Sequence, residues 1–309
     1  MNEPKASLPK KLPLGKALLW IFASVLTITG SAALGLLYFQ HVHEAHKHNP
    51  AYNIVALVQT SAELEGLRTV YLAELLNLSI DHPTNLYAFD AKAAREKLMA
   101  SPLIKEAAVK KIRPGTIHVD YVLRKPVAFL SDFGNTLIDA ERVIIPFKPF
   151  FTPKKIPEIY LGLDRAKDDS GELLPEVSLG RPLQCPSIEL AFTLFNFAIN
   201  SCCDESSTLL SIDVSKAFAP SYGQRQIVMV FEDRIQRLID GRPVFNVYPR
   251  IVRLAPDSYR QQLANYLVLR SYLRQQEKAG AGTEKLVLGK AAVMIIDMRL
   301  SELAFIGTE

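Results

Sequence analysis

Four histidines within eight residues form the densest set of metal-ligand side chains in the sequence, His41, His43, His46 and His48. Spacings of two and three residues could gather imidazoles around a transition metal, because imidazole is a common ligand of such ions. No cysteine and no cluster of carboxylates accompanies these histidines to complete a site. We therefore expect a polar linker beside a membrane, ended by Pro50, and no resident metal.

Thiol chemistry also has little support. The cysteines Cys185, Cys202 and Cys203 are odd in number and lack the spacing of a metal site. We expect partly buried thiols, and a disulfide from Cys185 to one of the adjacent pair is an alternative that the sequence leaves open.

Catalytic and nucleotide-binding motifs are absent from the sequence. It contains no G-x-S-x-G, H-E-x-x-H, G-x-x-x-x-G-K or strand-linked G-x-G-x-x-G pattern. The net charge of +4 over 309 residues is too small to indicate nucleic-acid binding by the whole chain, and no DNA- or RNA-binding motif is present. We predict a non-enzymatic binding module with no cofactor, no nucleic-acid partner and no small-molecule substrate.

An uncharged apolar stretch near the start of the chain predicts a membrane anchor. It covers residues 17–39, which as a helix exceed the roughly 30 Å hydrocarbon core of a bilayer. Lysines in residues 1–16 place this tail in the cytoplasm and the bulk of the chain on the other side. A cleavable signal peptide is the alternative, but the apolar run continues further than a signal peptide requires. Residues 40–52 are then the histidine-rich linker.

The next segment, residues 53–126, predicts a compact α+β domain. Its pattern gives the order strand, helix, helix, strand, strand, with Asp90 capping the second helix. The last two strands form a hairpin around Pro114–Gly115. In the final strand the apolar residues alternate with others, which is typical of a strand with one buried face: Ile117, Val119, Tyr121 and Leu123.

The rest of the chain, residues 127–309, changes to strands and turns with two helices, an apolar one near residues 187–200 and one with a single apolar face near residues 258–277. We predict a mainly antiparallel β domain carrying these helices. The fold class is α+β: one N-terminal transmembrane helix, a β-α-α-β-β domain and the β domain.

The hairpin segment AAVKKIRPGTIHVDYVLRKPVAFL closely resembles the signature of the FtsQ/DivIB family of bacterial cell-division proteins. In that family this signature closes a POTRA (polypeptide-transport-associated) domain. NLYAFD, TLIDAERVIIPF, IPEIYLG and IIDMR resemble further family motifs, and all occur in family order. One departure is Arg142, which stands where the family has a turn glycine. A positive φ is costly for arginine, so we expect this turn to differ.

The resemblance implies a single-pass scaffold of the division septum in the bacterial inner membrane, with its bulk in the periplasm. It implies partners similar to the small coiled-coil division proteins FtsB and FtsL, and through them an influence on septal peptidoglycan synthesis. The implied FtsB contact is strand addition at the last sheet edge, residues Leu300, Ser301, Glu302, Leu303, Ala304, Phe305, Ile306 and Gly307.

The physics of sheet edges supports this docking site independently, because a last strand without a further neighbour leaves backbone groups free to pair with an extended peptide. If the segment is instead an interior strand, it is already paired and belongs to the core. An alternative function is that of a POTRA-containing envelope assembly or secretion factor. Such proteins usually carry several POTRA units and a membrane β-barrel, which this sequence does not predict.

Overall fold

The computed structural model describes residues 14–62, 66–163, 178–239, 242–279, 291–300 and 302–308. Most of the predicted basic tail, residues 1–13, lies outside this part of the chain. Contacts divide the chain into two compact units. The first is drawn from Met1–Thr60, Arg68–Leu98 and Ala108–Asp120, and the second from Ser61–Leu67, Met99–Ala107 and Tyr121–Glu309.

The apolar stretch near the N-terminus forms one long helix, α1 (Leu14–Lys47, 34 residues). Residues 18–47 include an 18-residue window with a mean hydropathy of 1.8, so this helix is long and apolar enough to cross a membrane, and the predicted span falls within α1. A helix of this length measures roughly 50 Å, so its end continues well past a hydrocarbon core of about 30 Å. The first residues of the expected linker are therefore helical.

Aromatic packing accounts for this continuation of α1. The rings of His43 and His46 lie one turn apart, 5.4 Å and 4.9 Å from the ring of Tyr87. Tyr52 packs edge-on against both His46 and Tyr87, at 4.8 Å and 5.0 Å. The amide of Asn85 donates a hydrogen bond of 3.1 Å to the carbonyl of His46 near the end of α1. We call these five residues the juxtamembrane cluster.

The predicted order strand, helix, helix, strand, strand is confirmed. A three-stranded sheet has the order β1-β3-β2, and the elements are β1 (Ala56–Ser61), α2 (Thr69–Leu75), α3 (Ala91–Met99), β2 (Ile104–Ile112) and β3 (Thr116–Leu123).

Local chemistry explains these elements. Along β3 the predicted apolar residues are buried and those between them are more exposed, so one face of the strand forms core. Asp90 caps α3, since its Oδ1 accepts hydrogen bonds from the backbone N–H groups of Lys92 and Ala93 at 2.8 Å and 3.2 Å. The bonds from Ala93 and Lys92 hold the pKa of this exposed carboxyl below its usual range.

A nine-stranded sheet with the order β12-β11-β10-β9-β8-β7-β4-β5-β6 dominates the second unit. Two helices accompany it, and a π-helical turn at residues 198–202 extends the first of them. The elements are β4 (Pro126–Leu130), β5 (Thr136–Asp139), β6 (Ile144–Pro146), β7 (Glu158–Tyr160), α4 (Pro186–Phe197), β8 (Ser207–Asp213), β9 (Ile227–Ile239), β10 (Arg242–Leu254), α5 (Tyr259–Ala279), β11 (Met294–Asp297) and β12 (Phe305–Thr308).

Most neighbouring strands in this sheet are antiparallel, as predicted, but β4–β7, β7–β8 and β10–β11 are parallel. Parallel neighbours require a crossover connection, commonly a helix. The helix α4 follows β7 and precedes β8, and α5 lies between β10 and β11. Both helices pack into one apolar core with the strands, through residues such as Ile188 and Leu194 of α4 and Leu263 and Tyr266 of α5.

The turn between β5 and β6 corrects one expectation from the sequence. Arg142 keeps the left-handed backbone conformation, with φ of 65°, where a glycine was expected. The carboxylate of Asp139 accepts a backbone hydrogen bond from Val143 at 2.8 Å, which fixes the turn. The guanidinium of Arg142 lies 5.8 Å from the centre of the Phe192 ring. These contacts offset the cost of a positive φ, so the expected change of turn was wrong.

Candidate docking edge

The strand β12 forms one end of the nine-stranded sheet. It pairs antiparallel with β11, from Asp297 opposite Phe305 to Met294 opposite Thr308. The order of the described strands gives it no second neighbour. In an antiparallel pair, alternate residues direct their N–H and C=O groups away from the partner strand. One side of β12 therefore presents backbone groups that another extended chain can pair with.

Large apolar side chains are exposed along this edge. Phe305 is 58% exposed and Ile306 is 49% exposed. They lie on opposite faces of the strand, because successive side chains alternate. Leu300 and Leu303, in the segment leading to β12, are 56% and 59% exposed. Exposed apolar side chains beside free backbone groups are typical of a protein-binding edge.

An ion pair holds the chain where it leaves β11. The guanidinium of Arg299 contacts the carboxylate of Asp297, with Nη2 and Oδ2 2.7 Å apart. The backbone N–H of Arg299 donates to the same carboxylate at 3.1 Å. Hydrogen bonding from Arg299 keeps the pKa of Asp297 below its usual range. Asp297 and Arg299 thus form a structural ion pair at the end of β11.

A groove of about 980 Å³ lies between α5 and the segment that leads to β12. Its lining includes Val268 and Tyr272 of α5, which are 72% and 56% exposed, together with Leu300 and Leu303. The sequence reasoning missed the contribution of α5. The available signal was a pair of apolar residues four apart, off the face that packs into the core.

Four buried charged side chains support the sheet beside this edge, and we call them the buried charge network. Asp233 of β9 lies between two arginines, with Oδ2 2.7 Å from Nε of Arg250 and Oδ1 2.6 Å from Nη2 of Arg270. Arg250 also contacts Glu277, with Nη2 and Oε2 2.6 Å apart. Two positive and two negative charges are thus balanced within the protein interior, as buried charges must be.

The electrostatics of the network follow from this pairing. Burial by itself would raise the pKa of Asp233, but the hydrogen bond from Arg270 and the charge of Arg250 outweigh it, so the pKa lies below its usual range. Burial opposes the charged form of Arg270 too, yet the contact with Asp233 raises the pKa of its guanidinium. Asp233 and Arg270 therefore both favour their charged forms at neutral pH.

The network reaches the docking edge through β11. Arg250 pairs in register with Met294, the first residue of β11, and its Nη1 lies 3.8 Å from the sulfur of Met294. Met294 in turn pairs with Thr308 of β12. The network thus contacts the strand on which the edge is built. Sequence reasoning missed this network, because an arginine within an apolar strand gives no sign of its distant partners.

The predicted docking residues divide into three groups. Phe305, Ile306 and Gly307 lie in β12. Leu300, Glu302, Leu303 and Ala304 precede it, and Ser301 lies outside the described residues. Glu302 adopts a left-handed conformation, with φ of 63°, where the chain turns back toward β11.

The structure also places the histidines and cysteines that the sequence singled out. His43 and His46 pack in the juxtamembrane cluster, and within the described residues no three His, Cys, Asp or Glu side chains are placed to hold a metal ion. Cys185, Cys202 and Cys203 are free thiols. Burial raises the pKa of the Cys202 thiol to about 11. A thiol with that pKa is unreactive at neutral pH.

The family match found by comparison with known proteins lies in the first of the two predicted domains. Residues 63–120 match the family model described as "POTRA domain, FtsQ-type". The chain is also 27% identical over 127 residues to a relative from Bradyrhizobium diazoefficiens named "Cell division protein FtsQ". The alignment covers 39% of this chain and 37% of the relative, so the similarity spans well under half of either protein. The chain carries a POTRA domain of the FtsQ type, which confirms its resemblance to the FtsQ/DivIB family.

Proposed function

We propose that the chain is a non-enzymatic, single-pass membrane scaffold of bacterial cell division. It docks coiled-coil division proteins similar to FtsB and FtsL at the septum and links them to septal peptidoglycan synthesis. The FtsQ-type POTRA match and the relative named for cell division support this role. The observation that carries it furthest is the free edge of β12 with its exposed apolar side chains.

In this proposal the partner adds an extended strand to β12. Backbone hydrogen bonds supply affinity, while contacts with side chains on both faces of the edge select the partner. Phe305 and Ile306 provide an apolar contact on each face. The adjacent groove, lined by Val268 and Tyr272, receives apolar side chains of the same partner.

The placement in the cell follows from charge and length. The lysines before α1 hold the N-terminal tail in the cytoplasm, and residues 17–39 cross the inner membrane. The POTRA domain, residues 53–126, and the β domain, residues 127–309, are then periplasmic. Both domains act by binding, because no constellation of catalytic side chains was found in the sequence.

Proline substitutions along β12 test strand addition. Proline removes one backbone donor and is tolerated at a free edge far better than inside a ladder. Because the N–H groups of Ile306 and Gly307 point to opposite sides of the strand, Ile306→Pro and Gly307→Pro form a matched pair. The full-length variants are used to retrieve the cognate FtsB-like protein from detergent-solubilised membranes.

We expect one variant of the pair to keep the melting temperature of the parent and to lose the partner. The other variant deletes a hydrogen bond to β11 and is destabilised. If both folded variants retrieve the partner as well as the parent does, strand addition at β12 is wrong. If the parent itself fails to bind an FtsB-like protein, the scaffold function is wrong.

A further inference from the structure

The turn between β2 and β3 is a positively charged surface that the docking edge does not explain. Lys110, Lys111 and Arg113 are exposed, and Ile112 between them is 47% exposed. None of the three cations forms an ion pair with a carboxylate in the part of the chain that the structure describes. Asp90, whose charge acts on Lys111, already accepts two backbone hydrogen bonds at the start of α3. We call residues 110–113 the basic turn.

The backbone ties the basic turn to the chain that leaves α1. The carbonyl of Gly115 accepts hydrogen bonds from the N–H groups of Val55 at 2.8 Å and Ala56 at 3.3 Å. A Cβ atom at Gly115 would lie 2.1 Å from the carbonyl oxygen of Asn53, so this position admits no side chain. The tip of the hairpin is therefore held beside the segment that follows the membrane helix.

A side-chain contact also holds the tip of the hairpin close to the end of α1. The guanidinium of Arg113 lies 5.5 Å from the centre of the Tyr87 ring. Tyr87 packs against His43 and His46 in the juxtamembrane cluster. Arg113 is thus one aromatic ring away from the last turns of α1.

The distance from the bilayer follows from the helix geometry. His43 and His46 lie about 6 Å and 10 Å beyond Phe39, the last residue of the predicted span, at about 1.5 Å per residue. The headgroup layer extends about 5–8 Å beyond the hydrocarbon on each side. At this height His43 lies within the headgroup layer, where aromatic side chains are favoured, and His46 lies just beyond it.

From this geometry we propose that the basic turn binds the anionic phospholipid headgroups of the membrane that α1 crosses. Arg113 contacts the juxtamembrane cluster through Tyr87, and Lys110 and Lys111 belong to the same turn, so attraction to anionic headgroups can act on all three over a Debye length of roughly 8 Å. Ile112 adds an apolar side chain that can enter the interface beside them, as in other basic membrane-binding surfaces. The contact fixes the POTRA domain against the membrane surface. It is independent of the partner docked at β12.

The expected size of the effect is measurable. Each basic residue near an anionic surface strengthens association by about fivefold at physiological ionic strength, so three give roughly a hundredfold. High salt screens this attraction. Removal of one cation should leave most of the contact, and removal of the anionic lipid should abolish it.

Lysine acetylation of the full-length protein in nanodiscs tests the proposal. The rate of modification of Lys110 and Lys111 is measured by mass spectrometry in phosphatidylcholine and in a 7:3 mixture with phosphatidylglycerol. We expect at least about fivefold slower modification in the anionic discs, reversed at high salt. Lys97, on α3 of the same unit, serves as the internal control and should react equally in both.

Two variants separate the outcomes. Arg113→Gln should reduce the protection of Lys110 and Lys111, whereas Arg68→Gln, at another exposed position of the same unit, should not. Equal rates in both lipids overturn the proposal. Protection that appears in phosphatidylcholine discs once soluble cell-wall fragments are added also overturns it, because the surface then binds an anionic wall polymer.

Discussion

The two ends of the nine-stranded sheet are built in opposite ways. At the β6 end, Ile144 exchanges backbone hydrogen bonds with residues 180 and 181, and Pro146 has no N–H to offer. Ile144 and Ile145 are also buried. At the β12 end the strand has one described neighbour and exposed apolar side chains. The same sheet thus closes one edge and leaves the other available.

This difference bears on what the open edge is for. Proteins usually cover, shorten or charge their edge strands, because an open apolar edge invites pairing with other chains. The β6 end follows that rule. The β12 end is short but carries neither a covering segment among the described residues nor a charged side chain in Phe305–Thr308. An edge left open beside a groove is consistent with a bound partner rather than with a packing defect.

The largest expected effect on stability comes from the buried charge network, which lies next to the β12 end of the sheet. Asp233→Asn removes a buried carboxylate and leaves Arg250 and Arg270 without their shared partner. Breaking a buried ion pair in this way costs about 3–5 kcal/mol of the free energy of unfolding. Chemical denaturation of the variant measures this loss. Glu232→Gln, which removes the neighbouring and more exposed pair with Arg234, should cost less than about 1 kcal/mol.

The same carboxylate predicts a pH dependence. The folded-state pKa of Asp233 is lowered from 3.8, so its stabilising contribution is present above the unfolded-state pKa and is lost as the pH falls through the folded-state pKa. The stability difference between the parent and Asp233→Asn should stay constant from about pH 7 to 5 and shrink below about pH 4. Denaturation at a series of pH values measures this. A difference that already collapses near pH 6 would show that another group titrates.

Partner binding at the β12 end should depend on Phe305, whereas the free energy of unfolding should not. Phe305→Ser removes an exposed aromatic side chain, so unfolding should change by less than about 0.5 kcal/mol. Affinity for the FtsB-like partner should fall about 10- to 100-fold, the usual loss for an aromatic interface anchor. The matched control is Phe245→Ser, an equally exposed phenylalanine on β10 away from the edge. Equal losses from both variants would remove the distinction between the edge and the rest of the sheet.

At the β6 end, a substitution should lower the stability of the fold and leave partner affinity unchanged. Gly180, whose N–H donates to Ile144, has φ of 82°, and a Cβ there would lie 3.3 Å from the backbone of Pro102. Gly180→Ala should therefore destabilise the fold by about 1–2 kcal/mol. Calorimetry gives the change in melting temperature, and partner affinity should remain that of the parent. A loss of affinity would mean that the two ends are not independent.

Periodicity in the sequence predicted the elements well. The alternating residues of β3 defined its buried face, and the apolar run at residues 17–39 predicted the central part of the long N-terminal helix α1. The resemblance also placed the last sheet edge after IIDMR, where β12 (Phe305–Thr308) is found. These features are local, so neighbouring residues determine them.

Features that depend on distant residues were not predicted. The histidine segment is helical because Tyr52 and Tyr87 pack against it, and no periodicity within the segment signals them. Arg250 needs partners 17 and 27 residues away, on β9 and α5. The groove beside β12 arises where α5 meets the segment before the strand. Long-range pairing of this kind requires the fold to be known first.

The most direct test of the open edge is amide hydrogen exchange of residues 303–308 in the purified full-length protein, alone and bound to its FtsB-like partner. Strand addition predicts that alternate amides of β12 exchange at least about tenfold more slowly in the complex, while those paired with β11 change little. If the partner binds and the exchange of β12 is unchanged, the docking site lies elsewhere and the account of the open edge is wrong.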